Sequence, residues 1–251
     1  MNLDNLAFVP TMGALHDGHL SLIRHARELS DEVVVSIFVN PLQFENPDDL
    51  AKYPRDLEGD IEKARSAGAT RIWAPIYDEV YPDQIERISA GAIGNIFEGI
   101  KRPGHFDGVL TVVNQLFKAV KPRYAIFGEK DFQQLFIVQR WVRENQIPVE
   151  IVPAPIIRES DGLAMSSRNV RLAPEDREAA LVISRALRSG SRAQMHEILA
   201  SEPAFTLDYA EIIDPQTFEL ATTHTAEPRA IVAGWINGIR LLDNMAMKVQ
   251  P

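Results

Sequence analysis

Val33-Val34-Val35-Ser36-Ile37-Phe38-Val39 is nearly all apolar and rich in β-branched residues, the pattern of a strand covered on both faces and so of a parallel sheet. Upstream, residues 6–11 are short and apolar, with Pro10 close to the point where a loop begins, and they read as the first strand. Between the two, Leu20, Leu22, Ile23, Ala26 and Leu29 recur with helical spacing and leave Arg24, Arg27 and Glu28 for an exposed face, predicting a helix over 20–29. Downstream, strand-like runs at 71–74, 124–127 and 149–157 alternate with helical stretches at 57–67, 109–120 and 133–145. Such alternation predicts right-handed βαβ crossovers and an α/β fold: a doubly wound parallel, Rossmann-like sheet whose ligands lie beyond the carboxyl ends of the strands. After Arg158 the pattern changes to helices at 175–187 and 194–199 and strands at 207–213, 230–235 and 239–242, with Asn237-Gly238 as a hairpin signal between the last two. The expected organisation is therefore a sheet domain over 1–158 and a smaller C-terminal α+β domain over 159–251 that closes over the active site.

Composition narrows the function classes. With 45% hydrophobic and 24% charged residues, 14 Gly and 16 Pro, the 251-residue chain has ordinary globular usage, which excludes coiled coil, collagen and wholesale disorder. A formal net charge of −9 removes any general attraction to nucleic acid or anionic lipid, while local basic residues can still hold a phosphate. The absence of cysteine removes disulfide scaffolds, thiol catalysis and sulfur-rich metal sites, and fits a reducing compartment. The opening MNLDNLAFVP has no cationic region followed by a long apolar run, and no stretch of about 18 uninterrupted apolar residues occurs, so a cytoplasmic protein with no membrane partner is expected.

Three clusters carry chemistry, each between a strand and the next element. In Met12-Gly13-Ala14-Leu15-His16-Asp17-Gly18-His19, two glycines let backbone approach a ligand, and the following helix turns N–H groups and a positive dipole end toward an anion. His16 and His19 can both donate to phosphoryl oxygens there as charge develops. The same pair also suits a surface turn, or a zinc site that lacks an obvious third ligand. In Gly128-Glu129-Lys130-Asp131, Lys130 offers a mobile charge to a triphosphate and Asp131 could accept from ribose hydroxyls, with Gln134 just beyond; a charged helix cap is the alternative. In Ala164-Met165-Ser166-Ser167-Arg168-Asn169, two hydroxyls and a guanidinium can grip phosphate oxygens from a closing loop, although Ser-Ser-Arg taken singly is common loop chemistry. Asn40 and Gln43, after the 33–39 strand, offer uncharged amides for hydroxyls and carboxylates, although Asn40-Pro41 also suits a turn. His105, in Arg102-Pro103-Gly104-His105-Phe106, suits a structural role.

Seven ordered blocks bring these clusters together: PTMGALHDGHLSL (10–22), VSIFVNPLQF (35–44), YPRDLEGD (53–60), RPGHFDGVLTVV (102–113), FGEKDFQQL (127–135), DGLAMSSRN (161–169) and RLLDNMA (240–246). On these blocks the sequence resembles the pantoate–β-alanine ligase family, within the nucleotidylyltransferase superfamily that carries a His-x-Gly-His signature. The resemblance implies ATP-dependent joining of pantoate and β-alanine through an enzyme-bound pantoyl adenylate, with release of pyrophosphate and AMP, together with Mg²⁺ and a homodimer. It implies that Met12, Gly13, Ala14, Leu15, His16, Asp17, Gly18 and His19 line the ATP site, with the two histidines at the phosphates and His19 as proton donor. Gly128, Glu129, Lys130 and Asp131 would bind ATP, with Lys130 catalytic at the phosphates; Ile157, Met165, Ser166, Ser167 and Arg168 would complete that site. Gln43 and Gln134 would hold pantoate, with Asn40 and Met12 also at the substrates, and Asp60 would fall at the Mg²⁺. The chain departs from the family pattern in having only residues 1–5 before the first strand and a short region over 189–206. Another nucleotidylyltransferase of the superfamily, which would keep the nucleotide in its product, and a nucleotide-binding regulatory protein are the rival readings.

Overall fold

The structure, a computed structural model, describes residues 5–45, 47–82 and 85–247. Strands β1 (Ala7–Thr11), β2 (Val33–Ile37), β3 (Arg71–Trp73), β4 (Tyr124–Gly128) and β5 (Glu150–Ala154) form one sheet in the order β3-β2-β1-β4-β5, every adjacent pair parallel. The order reverses at β1, as a doubly wound sheet requires. Helix α1 (Asp17–Leu29) connects β1 to β2. Beyond β2 come the short α2 (Pro47–Ala51), then α3 (Leu57–Ser66) leading to β3, then the short α4 (Tyr77–Val80) and α5 (Glu98–Lys101). Helix α6 (His105–Val120) leads to β4 and α7 (Phe132–Glu144) to β5.

Both faces of the sheet are covered, which explains the unbroken apolar runs of its strands. Ala7, Val9, Val33, Val35 and Ile126 pack in one cluster with Leu20, Ile23 and Ala26 of α1 and Ala64 of α3. Phe8, which alternates to the other face, meets Phe117 of α6 edge-on, and Phe117 in turn meets Trp141 of α7. Because the strands are parallel, the segments after Thr11, Ile37 and Gly128 all leave from one edge.

The chain divides into two compact units, Met1–Glu129 with Ile137–Pro155, and Lys130–Phe136 with Ile156–Pro251. The sequence had suggested a single division at 158. The segment 130–136 belongs to the second unit because its side chains pack there: Phe132 stacks on Phe218 at 6.1 Å, Phe136 meets Phe218 at 5.1 Å, and the Arg229 guanidinium lies 4.0 Å from the Phe132 ring centre.

The second unit carries helices α8 (Pro174–Leu187) and α9 (Arg192–Ala200) and an antiparallel sheet of β6 (Phe205–Ile213), β7 (Arg229–Ile236) and β8 (Ile239–Ala246). Its core joins Val182, Ile183 and Leu187 of α8 and Met195 and Leu199 of α9 to Ala210, Val232, Ile236 and Leu241 of the sheet. Asn237 (φ +45°) and Gly238 (φ +74°) turn the last hairpin with positive φ at both central positions, the geometry that Asn-Gly favours. The strand β8 runs past the expected end at Leu242 to include Asp243, Asn244, Met245 and Ala246. Among the described residues no helix is long and apolar enough to cross a membrane.

Candidate active site

The loop after β1 is shaped from inside the first unit. Gly13 (φ +81°) and Ala14 (φ +51°) are consecutive left-handed residues, an arrangement that turns successive backbone N–H groups toward one anion. That anion is Asp60 of α3: its Oδ2 accepts from Ala14 N–H at 2.8 Å and its Oδ1 from Leu15 N–H at 2.7 Å, while Lys63 Nζ donates to the Leu15 carbonyl at 3.0 Å. A Cβ on Gly13 would stand 2.8 Å from Asp60 Oδ2 and 3.2 Å from Ile37 Cγ2, so glycine is required both for φ and for space. The resemblance implied Asp60 at the Mg²⁺; in the structure the residue is 1% exposed and each of its oxygens accepts one amide hydrogen of this loop. The Ala14 and Leu15 N–H groups are thus engaged by protein rather than offered to a phosphate.

What the loop offers instead is its histidines. His16 is the N-cap of α1, with Nδ1 accepting from Gly18 N–H at 3.1 Å, and His19 reaches back so that its Nδ1 accepts from His16 N–H at 3.3 Å. This reciprocal pair is a capping box built from imidazoles. A ring nitrogen that accepts carries no proton, so the neutral form of each ring holds its hydrogen on Nε2 as a donor. The rings lie 4.1 Å apart between centroids, tilted 45° to one another. The zinc alternative gains no ligand set, since among the described residues no group of three or more His, Cys, Asp or Glu is placed to hold a metal.

Asn40, expected at the substrate, is buried and fully hydrogen-bonded within the first unit. Its amide nitrogen donates to Gln43 Oε1 at 3.0 Å and to the Gly108 carbonyl at 3.1 Å, and its oxygen accepts from Leu42 N–H at 3.2 Å and Tyr81 Oη–H at 2.8 Å. These four bonds fill the capacity of an asparagine side chain. Asn40 therefore holds Gln43 by its side-chain oxygen, which leaves the Gln43 amide nitrogen as a group suited to donate to a ligand. Burial, and after it the neighbouring Tyr77 hydroxyl, push the Tyr81 phenol above its ordinary range, so it remains a donor to Asn40. The Gln43 carbonyl accepts from His105 Nδ1 at 2.9 Å and from Arg102 at 3.3 Å, which gives His105 its structural role. Helix α6 comes so close to this segment that a Cβ on Gly108 would meet the Leu42 carbonyl oxygen at 2.2 Å.

In the second unit a cleft is lined by Lys130, Ser166, Arg168 and Asn169 together with Arg240 and Asp243. Two of the sequence clusters thus meet, although Met165 and Ser167 do not line the cleft. Ile157 is brought beside Met165, whose N–H donates to the Ile157 carbonyl at 3.0 Å across the turn at Gly162 (φ +95°). Ser166 Oγ accepts from Arg168 N–H at 3.3 Å, folding this loop on itself. Lys130 Nζ lies 3.8 Å from the half-exposed Asp131 carboxylate, and Gln134 is partly buried in the first turn of α7. Asn169 closes the third sequence cluster, whereas Arg240 was not singled out from sequence, although the block RLLDNMA contained it. Glu129 opens a single 3-10 turn, Glu129–Asp131, after Gly128 closes β4.

The profile of the Pantoate-beta-alanine ligase family matches residues 2–246. The chain belongs to that family. It is 44% identical over 267 aligned positions to a pantothenate synthetase of Thermobifida fusca, covering 98% of this chain and 90% of the relative, and 46% identical to one from Heliobacterium modesticaldum, covering 97% and 92%. Among solved structures it is similar to a pantothenate synthetase of Thermus thermophilus, with TM-score 0.93, 44% identity and coverage of 98% and 94%. It is also similar to the pantoate-beta-alanine ligase of Francisella tularensis complexed with beta-gamma ATP and beta-alanine, with TM-score 0.83, 38% identity and coverage of 96% and 89%. As a member of the family the chain is an enzyme that ligates pantoate and β-alanine, and ATP is a substrate of the family.

Proposed function

We propose that this ligase works in two transfers with pantoyl adenylate between them. In the first, a pantoate carboxylate oxygen attacks the α-phosphorus of ATP, a new P–O bond forms, and the bond to the β-phosphate bridging oxygen breaks to release pyrophosphate. In the second, the amine of β-alanine, having lost a proton, attacks the acyl carbon; the C–O bond to the phosphate breaks, AMP leaves, and the nitrogen sheds a further proton as the amide forms. The difficulty of the first step is charge, because a carboxylate approaches a polyanion and more negative charge collects on phosphoryl oxygens.

The observation that carries this reading is the pair of Nδ1-capped imidazoles, whose Nε2–H groups are fixed as donors by the backbone of α1. His16 and His19 meet the phosphates in this reading, with the His19 Nε2–H donating a hydrogen bond to the departing pyrophosphate oxygen. Met12 to His19 and Gly128 to Asp131 contribute to ATP binding, as do Ile157 and Met165 to Arg168, with Lys130 at the phosphates. Gln43, Gln134 and Met12 hold the organic substrates. Support also comes from the Francisella tularensis ligase, which at 38% identity is complexed with an ATP compound and β-alanine. The resemblance also implies Mg²⁺, whose charge would offset that of the triphosphate, and no step is assigned to it. A homodimer in the cytoplasm completes the proposal, in keeping with the family resemblance and the cysteine-free composition.

Incubating the purified protein with ATP, Mg²⁺, pantoate and β-alanine, and omitting each in turn, tests the reaction. The expected outcome is an amide product, identified by mass, that requires all four and appears with equal amounts of AMP and pyrophosphate. ADP and phosphate in their place would overturn the adenylate route, and nucleotide retained in the product would favour a nucleotidylyltransferase.

A further inference from the structure

The block RLLDNMA belongs to the family resemblance, yet no substrate role falls on it, and its Asp243-Asn244 pair is a poor strand sequence. Both residues are nevertheless buried in β8, Asp243 at 5% and Asn244 at 2% exposure. Buried polar groups persist where partners satisfy them, and here the partners are specific. The Asn244 amide nitrogen donates to the main-chain carbonyl of Lys130 at 2.9 Å, and its side-chain oxygen accepts from Arg229 at 2.5 Å. Arg229 lies over the ring of Phe132, two residues beyond Lys130. Asp243 holds Arg158 through two bonds, at 2.6 and 2.9 Å, and Arg158 also donates to the Asn244 carbonyl at 3.3 Å.

From this we infer that Asn244 is a positioning residue: it fixes the backbone of Lys130 so that the lysine amine is held ready for the phosphates. The inference rests on the phosphate role proposed above for Lys130. Asparagine is the residue that the arrangement demands, because one side of its amide must donate to a carbonyl while the other accepts from a guanidinium. Aspartate would satisfy Arg229 and repel the Lys130 carbonyl; leucine would satisfy neither. A cation that stabilises charge in a transition state acts through its location, so a small displacement of its backbone lowers turnover without removing the cation.

The test is a double-mutant cycle on kcat between Asn244→Asp and Lys130→Ala, with thermal melting as the folding control. Asn244→Asp is expected to lower kcat about 10–100-fold with KM for pantoate unchanged. In a Lys130→Ala background it should lower kcat by less than about twofold, because the group it positions is gone. A structural role would instead give the same loss in both backgrounds, and that additivity, or full activity of Asn244→Asp, would overturn the inference. If Asn244→Asp does not fold, Asn244→Ser, whose hydroxyl can donate to the carbonyl, is read in the same cycle with a smaller loss and the same dependence on Lys130. Full activity of Lys130→Ala alone would remove the phosphate role of that lysine and the inference with it, a result distinct from additivity.

Discussion

Replacing His16 with Ser or His19 with Ala is expected to lower pantoate-dependent exchange of pyrophosphate into ATP by about 10²–10³-fold each, the usual loss when one preorganised donor to a developing oxyanion is removed. The two residues also build the start of α1, so structural and chemical effects must be separated. A hydroxyl at position 16 can accept the Gly18 N–H that His16 Nδ1 accepts now, which preserves the cap while deleting the Nε2 donor. His19→Ala removes the reach-back bond to the His16 N–H and the ring contact with His16, and leaves the His16 cap on Gly18 N–H in place. The expected stability losses are accordingly small, about 1 kcal/mol or less for each. Folded variants with melting temperatures near that of the parent and exchange reduced a hundredfold or more would fit the account. Full exchange in those variants would show that the imidazoles serve the helix alone.

The second large effect falls on Asp60. Asp60→Ala strips the carboxylate from two inward-facing N–H groups and leaves Gly13 and Ala14 in left-handed conformations with nothing at their focus. Leaving a buried donor without a partner costs about 1–3 kcal/mol, so two give a loss of about 2–6 kcal/mol, read as a drop in melting temperature or denaturant midpoint. Activity should fall further than stability alone explains, because the same loop carries His16 and His19. The decisive control is metal: on this account raising Mg²⁺ restores neither stability nor activity, whereas a metal-ligand role for Asp60 predicts partial recovery at high Mg²⁺. An Asp60→Ala protein with unchanged melting temperature would contradict the anchoring role.

The parallel sheet was legible because burial on both faces leaves a direct mark, the unbroken apolar run in β2 and the alternation of strands with helices around it. The edges of elements were less legible, for identifiable reasons. Helix α1 starts at Asp17 rather than Leu20 because its cap is a histidine, which is outside the usual set of Ser, Thr, Asp and Asn. Strand β8 looked finished at Leu242 because Asp and Asn follow, and their partners Arg158, Arg229 and the Lys130 carbonyl are remote in sequence. The same distance hid the roles of Asp60 and Asn40. Sequence shows that a carboxylate or an amide is present near a motif; it does not show that Ala14 and Leu15 bond the Asp60 carboxylate, or that Leu42, Gln43, Tyr81 and Gly108 fill the Asn40 amide. Clusters within one loop were readable, and the long-range partners that assign each polar atom were not.

The central claim, that pantoate is activated by bonding its carboxylate oxygen to the α-phosphorus of ATP, is tested most directly by isotope transfer. Pantoate carrying ¹⁸O in its carboxylate is turned over with ATP and β-alanine, and the phosphorus products are analysed by mass or by the ³¹P shift. The account predicts one ¹⁸O in the phosphate of AMP and none in pyrophosphate. Label in inorganic phosphate or pyrophosphate, or AMP free of label, would contradict it.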